Sequence, residues 1–182
     1  MDVIEKLWQS SFMEISGDIF ASIDKANKIE VYRFLSEQVA LLFADERDFL
    51  ANAANLASLI YFTLPDVNWA GFYLFKNDEL VLGPFQGKPA CVRIATGRGV
   101  CGTVARDRKT LVVGNVHEFP GHIACDSASN SEIVVPLVKE NRFFGVLDID
   151  SPVLNRFDDF DREALEQVVK TFKDLTAFSF SV

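Results

Sequence analysis

The chain has no long hydrophobic run, no basic stripe, two histidines and three cysteines, and each scarcity removes a class of function. No stretch approaches the roughly 18 consecutive apolar residues of a membrane-spanning helix. The opening Met1-Asp2-Val3-Ile4-Glu5-Lys6 lacks the basic start and apolar core of a secretory signal, so a cytoplasmic location is expected. Lys and Arg number 18 against 26 Asp and Glu, a net charge of −8. Nucleic-acid affinity comes largely from neutralising phosphates with basic side chains, so this balance argues against such a partner. The acidity suits solubility, or the attraction of a cationic group on a small ligand. In a reducing compartment an odd set of cysteines is no disulfide framework. Such thiols read as core residues, metal ligands or redox groups. Cys91, Cys101 and Cys125 lie at intervals of ten and twenty-four, which match no paired-cysteine zinc pattern. His117, His122 and Cys125 remain a local zinc alternative.

What is present is apolar and aromatic. With 182 residues, 49% hydrophobic content and 17 phenylalanines, the chain can bury one sizeable core. Residues 1–27 look like a helical extension, with Ile4, Leu7, Trp8, Phe12 and Ile15 at helical spacing before Gly17-Asp18. Residues 28–182 form the domain. Val31, Leu35, Val39 and Leu42 mark a helix over 28–43. Phe49, Ala53, Leu56 and Ile60 mark another over 45–63, closed by Pro65. The period then shortens, and strands are predicted at 68–75, 79–85, 91–94, 110–113, 133–138 and 142–150. A short helix follows Gly97-Arg98-Gly99, and a closing helix covers 159–178 with Leu165, Val168, Val169, Phe172 and Leu175 inward. Helices, then hairpin-linked strands, then a helix describe an α+β domain with an antiparallel sheet of five to six strands.

Chemistry concentrates around the loop 121–132, where small and polar residues surround Cys125 ahead of an apolar strand. A loop positioned by a rigid scaffold is a common carrier of function. All three thiols fall in loop-like or boundary segments where access is easier, and Cys101, opening a helix, is placed for thiolate activation. Cys125 has only His122 nearby, so its partner reaction must tolerate a modest thiolate fraction. Reduction of a sulfoxide fits, because an acid that polarises the S–O oxygen makes the sulfur electrophilic. Asp148 and Asp150 are two apart in one strand and share a face, together with Phe144 and Val146. Whether Glu132 joins them depends on hairpin register. A three-residue loop at 139–141 pairs Glu132 with Asp148, a two-residue turn puts it on the other face, and a bulge near Pro136 restores the match. Close acids repel and raise one another's pKa, which a bound ammonium relieves. Trp69 and Tyr73, four apart, form either core or an aromatic wall for a methyl group or cation. Gly97-x-Gly99-x-x-Gly102 matches a dinucleotide fingerprint in form, but no suitable strand or acid accompanies it.

Six segments carry a resemblance. Asn68-Trp69-Ala70-Gly71-Phe72-Tyr73, Leu82-Gly83-Pro84-Phe85-Gln86-Gly87-Lys88, Gly97-Arg98-Gly99-Val100-Cys101-Gly102-Thr103, Gly121-His122-Ile123-Ala124-Cys125-Asp126, Ser129-Asn130-Ser131-Glu132-Ile133 and Gly145-Val146-Leu147-Asp148-Ile149-Asp150-Ser151 resemble the free methionine-(R)-sulfoxide reductases, a single-domain GAF family. The resemblance spans about residues 28–178. It implies a GAF-like sheet backed by helices, a homodimer, and reduction of free rather than peptide-bound methionine (R)-sulfoxide. It implies Cys125 as the attacking cysteine, Cys91 as the main resolving one and Cys101 as a third that resolves or relays. Glu132, Asp148 and Asp150 then hold the substrate ammonium and polarise the sulfoxide, and Trp69 and Tyr73 surround its methyl group. Thioredoxin is the implied reductant, with no metal and no bound cofactor. A non-catalytic GAF sensor and a thiol redox switch are the competing readings.

Overall fold

The computed structural model describes residue 20 and residues 23–121 and 127–178. The expected helix through Ile4, Leu7, Trp8, Phe12 and Ile15 lies outside the described residues, as do His122 and Cys125.

Helix α1 (Lys28–Leu42) starts where the Asn27 side chain accepts from the backbone N–H groups of Ile29 and Glu30. Helix α2 (Phe49–Thr63) begins four residues later than predicted, because Asp48 caps it by accepting from Ala51 N. It stops before Pro65, which disfavours helical geometry in the residue ahead of it. The chain then enters β1 (Trp69–Lys76), β2 (Glu79–Gly87) and β3 (Arg93–Ala95), the short helix α3 (Gly99–Asp107) and β4 (Leu111–Val113). Strands β5 (Ser131–Lys139) and β6 (Arg142–Ser151) and helix α4 (Asp159–Leu175) complete it. The Asp158–Asp161 capping box fixes the start of α4, which ends three residues short of the predicted 178.

The six strands form one antiparallel sheet in the order β3-β2-β1-β6-β5-β4. Alternation along the strands gives it two different faces. One packs on α1, α2 and α4 through Phe43, Phe49, Phe72, Leu147 and Phe172. Each such side chain contributes about 1.5–3 kcal/mol on burial. Asp161 is fully buried at the base of α4 and accepts from Lys28, Tyr32 and Arg156, which compensates a charge otherwise costly to bury. The other face carries Trp69, Tyr73, Val134 and Val146, and α3 packs over it with Val100 and Cys101.

The β5–β6 hairpin decides what lies on that second face. Glu140 and Asn141 both have positive φ in a two-residue turn, so Lys139 faces Arg142. Of the turns left open by the sequence, the two-residue one is present and the three-residue one is not, and Glu132 pairs with Asp150 rather than Asp148. A bulge does restore the match, but in β6 and not at Pro136. Val138 pairs with Phe143 and Leu137 with Gly145, which leaves Phe144 as the extra residue. Phe144 consequently turns to the helix side and joins the first core, against the expectation that it shares the Asp148 face. Gly145 sits beside it at φ +147°, where a Cβ would lie 2.1 Å from Tyr73 O. Past the bulge, Glu132, Val134, Asp148 and Asp150 all point to the α3 side.

Candidate active site

Asp148 stands in the middle of the sheet, with Gly71 of β1 on one side and Val134 of β5 on the other. Asp150, one pleat along, is flanked by Trp69 and Glu132. Glu132 and Asp148 are each only 6% exposed, and Cys101, in the first turn of α3, is 4% exposed above them. The Cys101 thiol lies 3.8 Å from Glu132 Oε1, to which it donates. Cys101 Sγ and one carboxylate oxygen from each acid all fall within 4.8 Å of one another. Among the described residues no lysine, arginine or histidine forms an ion pair with either acid. Asp148 Oδ1 is buried without a hydrogen-bond partner among the described residues.

Burial first, and then the charges of Asp148 and Asp150, push the Glu132 carboxyl well above the ordinary range. Burial also raises Asp148, to about 6, against the lowering effect of its hydrogen bonds with Cys101, Glu132 and the backbone at Ile149. Cys101 rises well above the usual thiol value, by burial and then by the neighbouring Asp148 and Glu132 charges. The expectation of an accessible, activated Cys101 is therefore wrong. Its place near a helix N-terminus favours the thiolate, but full burial against two carboxyls outweighs that effect.

Trp69 and Tyr73 form one wall. The rings stack at 5.9 Å between centroids, and Phe85 also stacks on Trp69 at 5.4 Å. Gly71 between them makes this possible, since a Cβ there would lie 2.7 Å from the Trp69 ring and 2.3 Å from Phe85 Cβ. Both polar ends reach one loop: Trp69 Nε1 donates to Lys88 O at 3.1 Å and the Tyr73 hydroxyl to Cys91 O at 3.0 Å. Cys91 is half-buried in that loop, because β3 begins at Arg93 and not at 91 as predicted. The two aromatics are thus both core and tether.

The segment leading into β5 is pinned by residues that the sequence reading left without roles. Asn68 Nδ2 donates to Ser129 Oγ, Asn130 Nδ2 to Pro152 O and Ser131 Oγ to Val153 O. With the Asn130 nitrogen so committed, its Oδ1 accepts from His117 Nε2 at 2.9 Å. His117 is exposed. The available signal was the run Ser129-Asn130-Ser131, small polar residues at the mouth of an apolar strand. The glycines at 97 and 102 close on each other, with Gly97 N donating to Gly102 O at 2.7 Å, and serve the α3 turn.

A GAF-domain family profile matches residues 30–172. The free methionine-R-sulfoxide reductase of Escherichia coli is 54% identical over 151 residues, spanning 83% of this chain and 92% of that protein. The yeast enzyme of the same name, from Saccharomyces cerevisiae, is 41% identical over 84% of this chain and 89% of its own. This chain belongs to the free methionine-R-sulfoxide reductase family.

Its structure is similar to that of the Neisseria meningitidis member of this reductase family in complex with its substrate. The TM-score is 0.79 at 46% identity, covering 82% of this chain and 90% of the other. The chain is therefore an enzyme of a GAF-domain reductase family, with an α+β fold built on a six-stranded antiparallel sheet. Among the described residues no helix is long and apolar enough to cross a membrane.

Proposed function

We propose that this enzyme reduces free methionine (R)-sulfoxide through a cysteine sulfenic acid and an intramolecular disulfide. The observation that carries the reading is the pair of buried carboxyls, Glu132 and Asp148, with no cation paired to either among the described residues, on the sheet face of the stacked aromatic wall. The substrate ammonium brings a positive charge to Asp148 and Asp150, and the aromatic wall takes the methyl group. Glu132, whose carboxyl burial and the neighbouring acids push well above the ordinary range, donates its proton toward the sulfoxide oxygen. The Cys125 thiolate attacks the sulfoxide sulfur, the substrate S–O bond breaks as its oxygen passes with the donated proton to the cysteine sulfur, and methionine leaves with its sulfur reduced, so that a Cys125 sulfenic acid forms. The Cys91 thiol then displaces that hydroxyl, which leaves as water, and a Cys91–Cys125 disulfide forms. A dithiol of the thioredoxin type exchanges with it, is itself oxidised, and restores both thiols. No metal or organic cofactor takes part in this cycle. Cys101 acts as a thiol donor to Glu132 and not as a nucleophile.

The test is NADPH consumption with thioredoxin and its reductase, offered free (R)-sulfoxide, free (S)-sulfoxide or a peptide-bound sulfoxide. Turnover confined to the first, and lost in Cys125→Ser, is expected. Comparable turnover of the peptide-bound form would refute the substrate assignment. A disulfide formed with peroxide but no sulfoxide turnover would mark a redox switch.

A further inference from the structure

We propose that Cys101, Glu132 and Asp148 also form a binding site for a thiophilic divalent cation of the Zn2+ type, which competes with the substrate. The donors are one thiol sulfur and two carboxylate oxygens, all within 4.8 Å of one another. Tetrahedral zinc, with bonds of about 2.3 Å to sulfur and 2.0–2.2 Å to oxygen, places its donors about 3.5 Å apart. The Cys101 Sγ–Glu132 Oε1 separation is 3.8 Å, so that pair reaches the geometry by a shift of a few tenths of an ångström, and the other donors, within 4.8 Å, reach it by side-chain movements of about 1 Å at most. The three come from separate, mutually packed elements, α3, β5 and β6, which makes the arrangement preorganised.

A second observation points to a ligand independently of the cluster. Asp148 Oδ1 is buried without a partner among the described residues, and buried polar atoms in native folds are almost always paired. A cation satisfies it as well as an ammonium does. Hard cations such as Mg2+ and Ca2+ need six or more oxygen ligands, whereas a sulfur with two carboxylates suits a borderline-soft ion. Three protein ligands leave a fourth position for water.

Metal binding is read directly with Co2+ as the probe. In a reduced Cys91→Ser/Cys125→Ser protein, Cys101 is the sole thiol. Titration with Co2+ is expected to give a 1:1 complex with a near-ultraviolet thiolate-to-cobalt band and tetrahedral visible bands. Adding Cys101→Ser should abolish the ultraviolet band. Glu132→Gln or Asp148→Asn should weaken binding at least tenfold while circular dichroism shows the fold retained. No such band in the Cys101-only protein, or a band that survives Cys101→Ser, overturns the metal site. Competition rests on the reading of this cluster as the substrate site. Free methionine sulfoxide should therefore bleach the band, and a band insensitive to it overturns the competition. Metal-free turnover of the (R)-sulfoxide tests the functional reading separately.

Discussion

Asp148→Asn should make the protein more stable and less active, and the gain should grow with pH. The parent carboxyl has a folded-state pKa of about 6 against 3.8 for the free group, mainly because of burial. Between those values the native state binds more protons than the unfolded one, so stability falls as pH rises. The destabilisation this shift causes is about 2 kcal/mol at pH 5, where Asp148 folds mostly protonated, and about 3 kcal/mol at pH 8, where it folds ionised, at 1.36 kcal/mol per pKa unit. Glu132, pushed in the same direction, reinforces the sign. An asparagine cannot ionise, so the variant escapes this penalty. Whatever hydrogen bonding it gains or loses adds a pH-independent offset, which makes the slope the diagnostic quantity. Urea denaturation of parent and variant at pH 5, 6.5 and 8 should show their difference widening by about 1 kcal/mol in the variant's favour. The same variant should raise the KM for free (R)-sulfoxide at least tenfold, since a charge-assisted contact of about 1.5–3 kcal/mol is lost. A stability difference that stays flat or shrinks toward alkaline pH would refute the view that Asp148 is held against its own desolvation.

Three further outcomes follow from the geometry. Gly71→Val should destabilise the protein by about 1–3 kcal/mol and shift its tryptophan fluorescence, because the new side chain meets Trp69 and Phe85. A fluorescence spectrum and urea midpoint unchanged from the parent would contradict the stacked wall. Under native conditions iodoacetamide should label Cys91 far faster than Cys101, whose thiol is buried and held protonated; peptide mass spectrometry measures the ratio, and equal labelling would count against that burial. Asp161→Ala should cost about 3–5 kcal/mol by leaving the buried Arg156 without its partner carboxylate, measured by thermal or urea unfolding.

Around Cys125, the linear chain made legible which residues to suspect. Residue type and order did this: small polar residues around a thiol, alternating acids at 148 and 150, aromatics four apart at 69 and 73. Apolar periodicity likewise located the long helices, because the spacing that buries Val31, Leu35 and Val39 is a local property. Boundaries slipped where a single cap decided them, as at Asp48. Facing and environment were not local. Whether Glu132 joins Asp148 turned on one extra residue, Phe144, whose bulge exists because Gly145 lets β6 pass against the Tyr73 carbonyl. The state of Cys101 turned on what α3 is packed against, and side chains from three elements meet there. Sequence determined the cast and its spacing. Only tertiary packing decided which carboxyls are desolvated together and which thiol is buried against them, because pKa depends on burial and through-space charge rather than on neighbours in the chain.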